Sequence, residues 1–426
     1  MKKRVCIFLL ILMIVGLSGC NKPVKNIKSN IEVETIKVSV KDKNNNQVDV
    51  ADVSKAVNRA TFSMMKELNK EKNMLISPLS IVSSLALLQN GGSNGSDDEI
   101  IRFLFGKDLE LNQAKELINT QFRDLIINCV NDEKDEVIIG NSVWFDNRVS
   151  DNVNDDFLKV SKENFFSEVY TEDFINNTKE AVGKVNKWIE LKSKGKLKDI
   201  MEEEEVSDEF WGTSVNTLYF KGNWSTEFNP SMTKKEKFTK ANGDSIMVDM
   251  MNKITYSSVY EDDNMYALHL PYQGAHTMTF ILPKNGITLN EVLKDMSLNH
   301  WNKIKNDENR MYSEVKLKVP KFRYEYETKL REYLSDNGIN KIFTSVEKPL
   351  EGIMNNAYIS EIVHNTVISL DEEGTEAAAV TRELLCGSGM PENEVEFYCD
   401  KPFAFIISNW RNNTILFSGV VYEPKF

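Results

Sequence analysis

The 426-residue chain has five cysteines, four histidines and a deficit of positive charge, with 52 Lys and Arg against 64 Asp and Glu for a formal net charge of −12. Each shortage excludes something. Sparse cysteines give no disulfide framework, so stability must come from a hydrophobic core. His269, His276, His300 and His364 lie at no ligand interval from a Cys, an Asp or a second His, so no metal motif is legible and no cofactor is expected. An acidic balance disfavours nucleic acid and anionic glycans as partners. Internal repeats are absent. Only the N-terminus carries a long apolar run.

That run is an export signal. Lys2, Lys3 and Arg4 precede an apolar stretch from Val5 to Gly16, and Leu17-Ser18-Gly19-Cys20 closes it. The last four residues resemble the bacterial lipobox, in which the cysteine is acylated and becomes the mature N-terminus. A lipidated Cys20 carrying two or more chains would anchor the protein stably on the outer side of the cell membrane. Residues 1–19 are thus expected to be removed, taking the formal charge from −12 to −15. Residues 20–51, rich in Lys and Asn and containing the alternating tract Ile31 to Val38, read as a spacer. Of the other cysteines, Cys6 leaves with the signal, and Cys129, Cys386 and Cys399 form an odd set.

Beyond the spacer the pattern changes from helix to strand. Val53, Val57, Ala60, Met64 and Leu68 recur at helical spacing. Ser77-Pro78 then supplies an N-cap and a first-turn proline for a helix apolar on nearly every side, which must be buried, ending at Gly91-Gly92. Glu136 to Phe145 reads as a strand and Thr178 to Leu191 as a helix. From Phe210 onward β-rich segments dominate: 214–220, 266–270, 278–282, 314–319, 363–370, 403–407 and 414–421, with Asn412-Asn413 as a tight turn between the last two. Helices first and strands later predict an α+β fold with large, mainly antiparallel sheets.

The most informative segment lies between two strands near the C-terminus. Asp371 to Val380 is a tract of small residues without a hydrophobic anchor, able to pack between existing strands, and Gly374 there tolerates the φ change of a swinging strand. About 24 residues in all separate the flanking strands, and a loop of that length in a compact domain is functional or disordered.

Several motifs, in order, resemble the serpin family over residues 52–426. They are Asn73 to Ile81 with the glycines 91, 92 and 95, Asn216 to Trp224, Leu270-Pro271-Tyr272, Val319 to Phe322, Lys401-Pro402-Phe403, Gly419 to Pro424, and the hinge-like Glu372 to Ala379. The resemblance implies three β-sheets, eight or nine helices and an exposed reactive loop at about 372–396. It also implies a suicide-substrate mechanism. A protease cleaves the loop, forms an acyl-enzyme, and is trapped when the loop inserts into the main sheet as a new strand.

In the family's frame the scissile bond falls at Ser388-Gly389, with Gly387-Ser388 and Leu385-Cys386 as alternatives. The hinge is Glu373, Gly374, Thr375, Glu376, Ala377, Ala378 and Ala379. Ser77, Ser80, Asn216 and His364 match a hydrogen-bond network beneath the strands that part, and Trp224 matches the aromatic where the hinge enters. Asn365 stands where the family often has lysine. Side chains alternate faces along a strand, so Thr375, Ala377, Ala379, Thr381 and Glu383 would face the core on insertion, and burial of the Glu383 carboxylate is expected to cost several kcal/mol or to neutralise it. Small residues with Leu385 upstream suit subtilisin-like or elastase-like serine proteases, and Cys386 leaves a cysteine protease open as a target. A monomer is expected. The other readings are a non-inhibitory serpin serving as a surface binding or scaffold protein, a cysteine peptidase using Cys386 or Cys399, for which no catalytic signature exists, and a solute-binding lipoprotein, whose βαβ alternation is missing.

Overall fold

A computed structural model describes residues 51–105, 111–130, 132–306, 311–375 and 393–426. The chain begins with α1 (Ala51–Glu67), which buries Val53, Val57, Ala60 and Met64 on one side. β1 (Met74–Ile76) leads into α2 (Pro78–Leu88), capped by Ser77, whose hydroxyl accepts from the Ser80 N–H. α2 is buried on nearly every side because two sheets and several helices surround it. There follow α3 (Ser96–Phe105), α4 (Leu111–Val130), β2 (Glu136–Asp146), α5 (Asp155–Phe165), β3 (Glu168–Glu172), α6 (Thr178–Lys192) and β4 (Gly212–Asn223).

Strands prevail after β4. They are β5 (Lys234–Thr239), β6 (Ser245–Glu261), β7 (Met265–Pro271) and β8 (His276–Pro283), then α7 (Leu289–Asp295), α8 (Leu298–Asn306), β9 (Met311–Pro320), β10 (Phe322–Lys329) and α9 (Arg331–Asp336). The chain closes with β11 (Val363–Leu370), the two-residue β12 (Gly374–Thr375), β13 (Glu394–Tyr398), β14 (Phe403–Asn409) and β15 (Ile415–Val421). The described residues thus hold nine α-helices, and the fold is α+β.

Hydrogen bonding organises the strands into two networks. The main sheet runs β10-β11-β12-β4-β2-β3. The other runs β1-β15-β14-β8-β7-β6-β9-β13, with β5 added beside β6. Two of the three expected sheets are therefore continuous, because the 17-residue β6 pairs with β5 and β9 along its length and with β7 at its far end. The Asn412-Asn413 turn lies between β14 and β15, and Asn413 has φ +59°.

Period-two alternation in the main sheet follows from its two covered faces. On the inner face Phe220, Ile368 and Leu370 join the central core with α1 and α2. On the outer face Trp144, Val215 and Val367 meet Val182, Val185, Trp188 and Ile189 of α6. No ladder joins β4 directly to β11 among the described residues, and β12 alone bridges them. A cavity of about 20 Å³ lies along these two strands beside Thr375, lined by Leu218, Tyr219, Phe220, Val367 and Ile368.

Candidate functional site

The site begins where the chain turns back from β11 into β12. Asp371 Oδ1 accepts from the N–H groups of Glu373 (3.0 Å) and Gly374 (3.4 Å), closing an Asx-type turn. Gly374 pairs with Asn223, while Thr375 pairs with Gly222 on one side and Leu370 on the other. The hinge thus starts as a strand already seated between β11 and β4. Gly374 is needed there for close approach: at φ +154°, a Cβ would lie 2.2 Å from the Gly222 carbonyl oxygen.

Thr375 is 3% exposed, and its hydroxyl is 2.7 Å from that of Tyr272. Burial pushes the Tyr272 phenol well above its ordinary pKa, so it stays neutral and able to donate. Tyr272 stacks on Trp224, with ring centroids 4.6 Å apart and planes 6° from parallel. Trp224 is buried and holds the turn at two points. Its indole N–H donates to the Asp371 carbonyl (3.2 Å) and its backbone N–H to that of Glu373 (2.9 Å).

Glu372 fastens the same turn from the other side. Its carboxylate pairs with Lys321 (2.8 Å) and accepts from the Thr233 hydroxyl (2.7 Å), while its carbonyl accepts from the Phe228 N–H (2.9 Å). Burial pushes its pKa up, but Lys321 and Thr233 outweigh this and hold it below the usual carboxylate range. The Lys321 ammonium also sits 4.4 Å from the centre of the Phe426 ring. Tyr272 and Lys321 stand inside the motifs read from sequence but received no role there; nothing local marks them, since their partners are about 50 and 100 residues away.

Beneath the parting strands, His364 Nε2 accepts from the Ser77 N–H at 3.0 Å, so Nδ1 carries the proton of the neutral ring. Burial lowers the His364 pKa to about 4. Ser77 and Ser80 join His364 through the α2 cap, and Thr366 donates to the Leu75 carbonyl (2.7 Å). Asn216 belongs to a separate arm. It donates to Asn141 Oδ1, and Asn141 donates to the Phe165 carbonyl (2.7 Å), leaving Asn216 Oδ1 buried and unpartnered. Glu376, Ala377, Ala378, Ala379, the Ser388-Gly389 bond and Cys20 lie outside the described residues.

The fold also assembles a cluster that no residue spacing announces. Asp132, Asp135 and His276 place ligand-type atoms within 4.8 Å of one another. Their carboxylate oxygens already accept from five backbone N–H groups and the His276 ring, so the cluster is built as an acceptor of N–H groups more than as a cation site. Burial pushes the Asp132 carboxyl up, yet the N–H groups of Asp135, Lys134 and Ala275, with His276 nearby, hold it below the usual range.

Comparison with known proteins agrees with this architecture. Residues 55–424 match the family Serpin (serine protease inhibitor). An uncharacterized serpin-like protein of Thermococcus kodakarensis is 34% identical over 381 residues, covering 88% of this chain and 86% of the relative. Tengpin, a thermophilic serpin in its native state, superposes with a TM-score of 0.77 at 26% identity, covering 90% of this chain and 96% of that one. Human thyroxine-binding globulin complexed with thyroxine gives 0.78 at 25% identity, covering 89% and 100%. The chain belongs to the serpin family, whose general activity is protease inhibition.

Proposed function

We propose that this serpin is a suicide-substrate inhibitor of subtilisin-like or elastase-like serine proteases, held by lipidated Cys20 on the outer side of the cell membrane. The observation that carries the reading is the seated hinge: Gly374 pairs with Asn223 of β4, and Thr375 pairs with both Gly222 of β4 and Leu370 of β11. No helix of the described residues is long and apolar enough to cross a membrane.

Continuing that register in steps of two defines what insertion requires. Ala377 would face Phe220 and Ile368, Ala379 would face Leu218 and Thr366, and Thr381 would reach Asn216 and His364. Small residues meet the large core side chains, and Thr381 brings a hydroxyl to the unpartnered Asn216 Oδ1. Glu383 would fall beside Ser214, which is exposed, and Ile362, which is half-buried. A carboxylate there keeps part of its hydration, which lessens the cost of late insertion. This weakens the chief argument for a non-inhibitory binding role.

The test is to mix residues 21–426 with subtilisin and with elastase and to follow denaturing gels and mass spectra. A denaturant-resistant complex with a released peptide starting at Gly389 is expected. Cleavage near Ser388 without a complex would favour the non-inhibitory role, and resistance to both enzymes would overturn the assigned protease class.

A further inference from the structure

The loop between α4 and β2 grips the turn that carries Tyr272. Asp132 Oδ2 accepts from the Ala275 N–H (2.8 Å). Asp135 accepts from the N–H groups of Gly274 (3.1 Å) and His276 (3.2 Å) and from His276 Nδ1 (2.9 Å). Three successive amides of one turn therefore end on two carboxylates, and hydrogen bonds to ionised acceptors are stronger than neutral ones. Asp135 and His276 side chains are wholly buried, which strengthens the pairing further.

The same turn leads to the hinge dock by short steps. The Tyr272 N–H donates to the His276 carbonyl (3.0 Å), and the Gln273 N–H to that of Asn223 (2.9 Å), one residue beyond Gly222. The Phe220 ring lies edge-on to both His276 (5.2 Å) and Tyr272 (5.0 Å). Tyr272 itself rests on the Gly222 backbone, where a Cβ would come within 2.9 Å of its ring. The phenol that holds Thr375 is thus braced by the carboxylate loop.

We propose that Asp135, with Asp132, is a positioning residue for the hinge: by fixing the 274–276 turn it places the Tyr272 hydroxyl and sets how firmly Thr375 is seated between β4 and β11. The consequence for protease trapping rests on the inhibitory reading above; the coupling itself does not. Loss of the Asp135 bonds lets Tyr272 shift and unseats Thr375 from between β4 and β11.

The experiment is hydrogen exchange of peptides spanning 370–375 in the intact protein, with Trp224 fluorescence as a second signal. Asp135→Asn should speed exchange there about tenfold, the effect of one lost charge-assisted hydrogen bond, and leave β14 and β15 unchanged. Tyr272→Phe should speed the same peptides, and adding Asp135→Asn to it should give no further increase, since the link is already cut. If Asp135→Asn does not fold, Asp132→Asn tests the same brace through Ala275. Unchanged exchange at 370–375 in a folded variant, or full additivity with Tyr272→Phe, would overturn the proposal. Because no protease enters these measurements, a failure of the inhibitory reading is seen separately.

Discussion

The two sheet networks differ most in how their central strands are held. In the second network β8, β14 and β15 are buried along their whole length, and β14 pairs residue for residue with both neighbours apart from one register shift. In the main sheet β4 and β11 alternate buried with half-buried or exposed positions, and among the described residues they are bridged by β12 alone, through Thr375. One region concentrates apolar burial, the dominant favourable contribution to folding. The other leaves strand edges able to accept another strand. Stability and the capacity to change thus reside in separate parts of one core.

The contrast can be broken most severely at the hinge. Thr375→Arg places a charged side chain where 3% exposure and the Tyr272 hydroxyl now define the site, so trapping should be abolished while cleavage persists, as gels with a cleaving protease would report. Full inhibition by this variant would rule out insertion along β12. In the second network, Phe405→Ala removes a fully buried ring that packs on Phe322 at 5.5 Å, and denaturant titration should find about 3–5 kcal/mol lost.

Acid should act on the main sheet. His364 is neutral in the fold with its pKa lowered to about 4, against an ordinary value of 6.5, so the unfolded chain binds the extra proton between these limits. Stability is therefore unaffected above the upper limit and falls as pH drops through the window, by about 1.4 kcal/mol per unit at most. His364→Gln should flatten that part of the pH profile, and an unaltered slope would mean another group dominates. The smallest effect belongs to Phe426→Ala, which removes the ring over Lys321 and should lower stability by about 0.5–1 kcal/mol in thermal unfolding.

Much of the fold was legible because its signals are local. Ser77 and Pro78 mark the start of α2 by capping chemistry, and the apolar run behind them announces a buried helix. Strands β7, β8, β14 and β15 were read to within a few residues from β-rich stretches. β6 escaped notice because it pairs with different strands along its length, so no single face stays buried. β10 was missed although Tyr324 and Tyr326 alternate with charged residues, since only one side of this edge strand is paired.

The α+β class, the small-residue hinge and the family resemblance could all be read from the chain before folding, because each is carried by neighbouring residues whose propensities and spacing act over a few positions. Tertiary structure alone decided that Thr375 meets Tyr272, that Lys321 clamps Glu372, that Asn216 bonds Asn141 apart from His364, and that Asp135 braces the 274–276 turn. The physical reason is that these are contacts between side chains far apart in the chain, and hydrogen bonds and ion pairs have no pattern along the sequence until strand pairing sets their register.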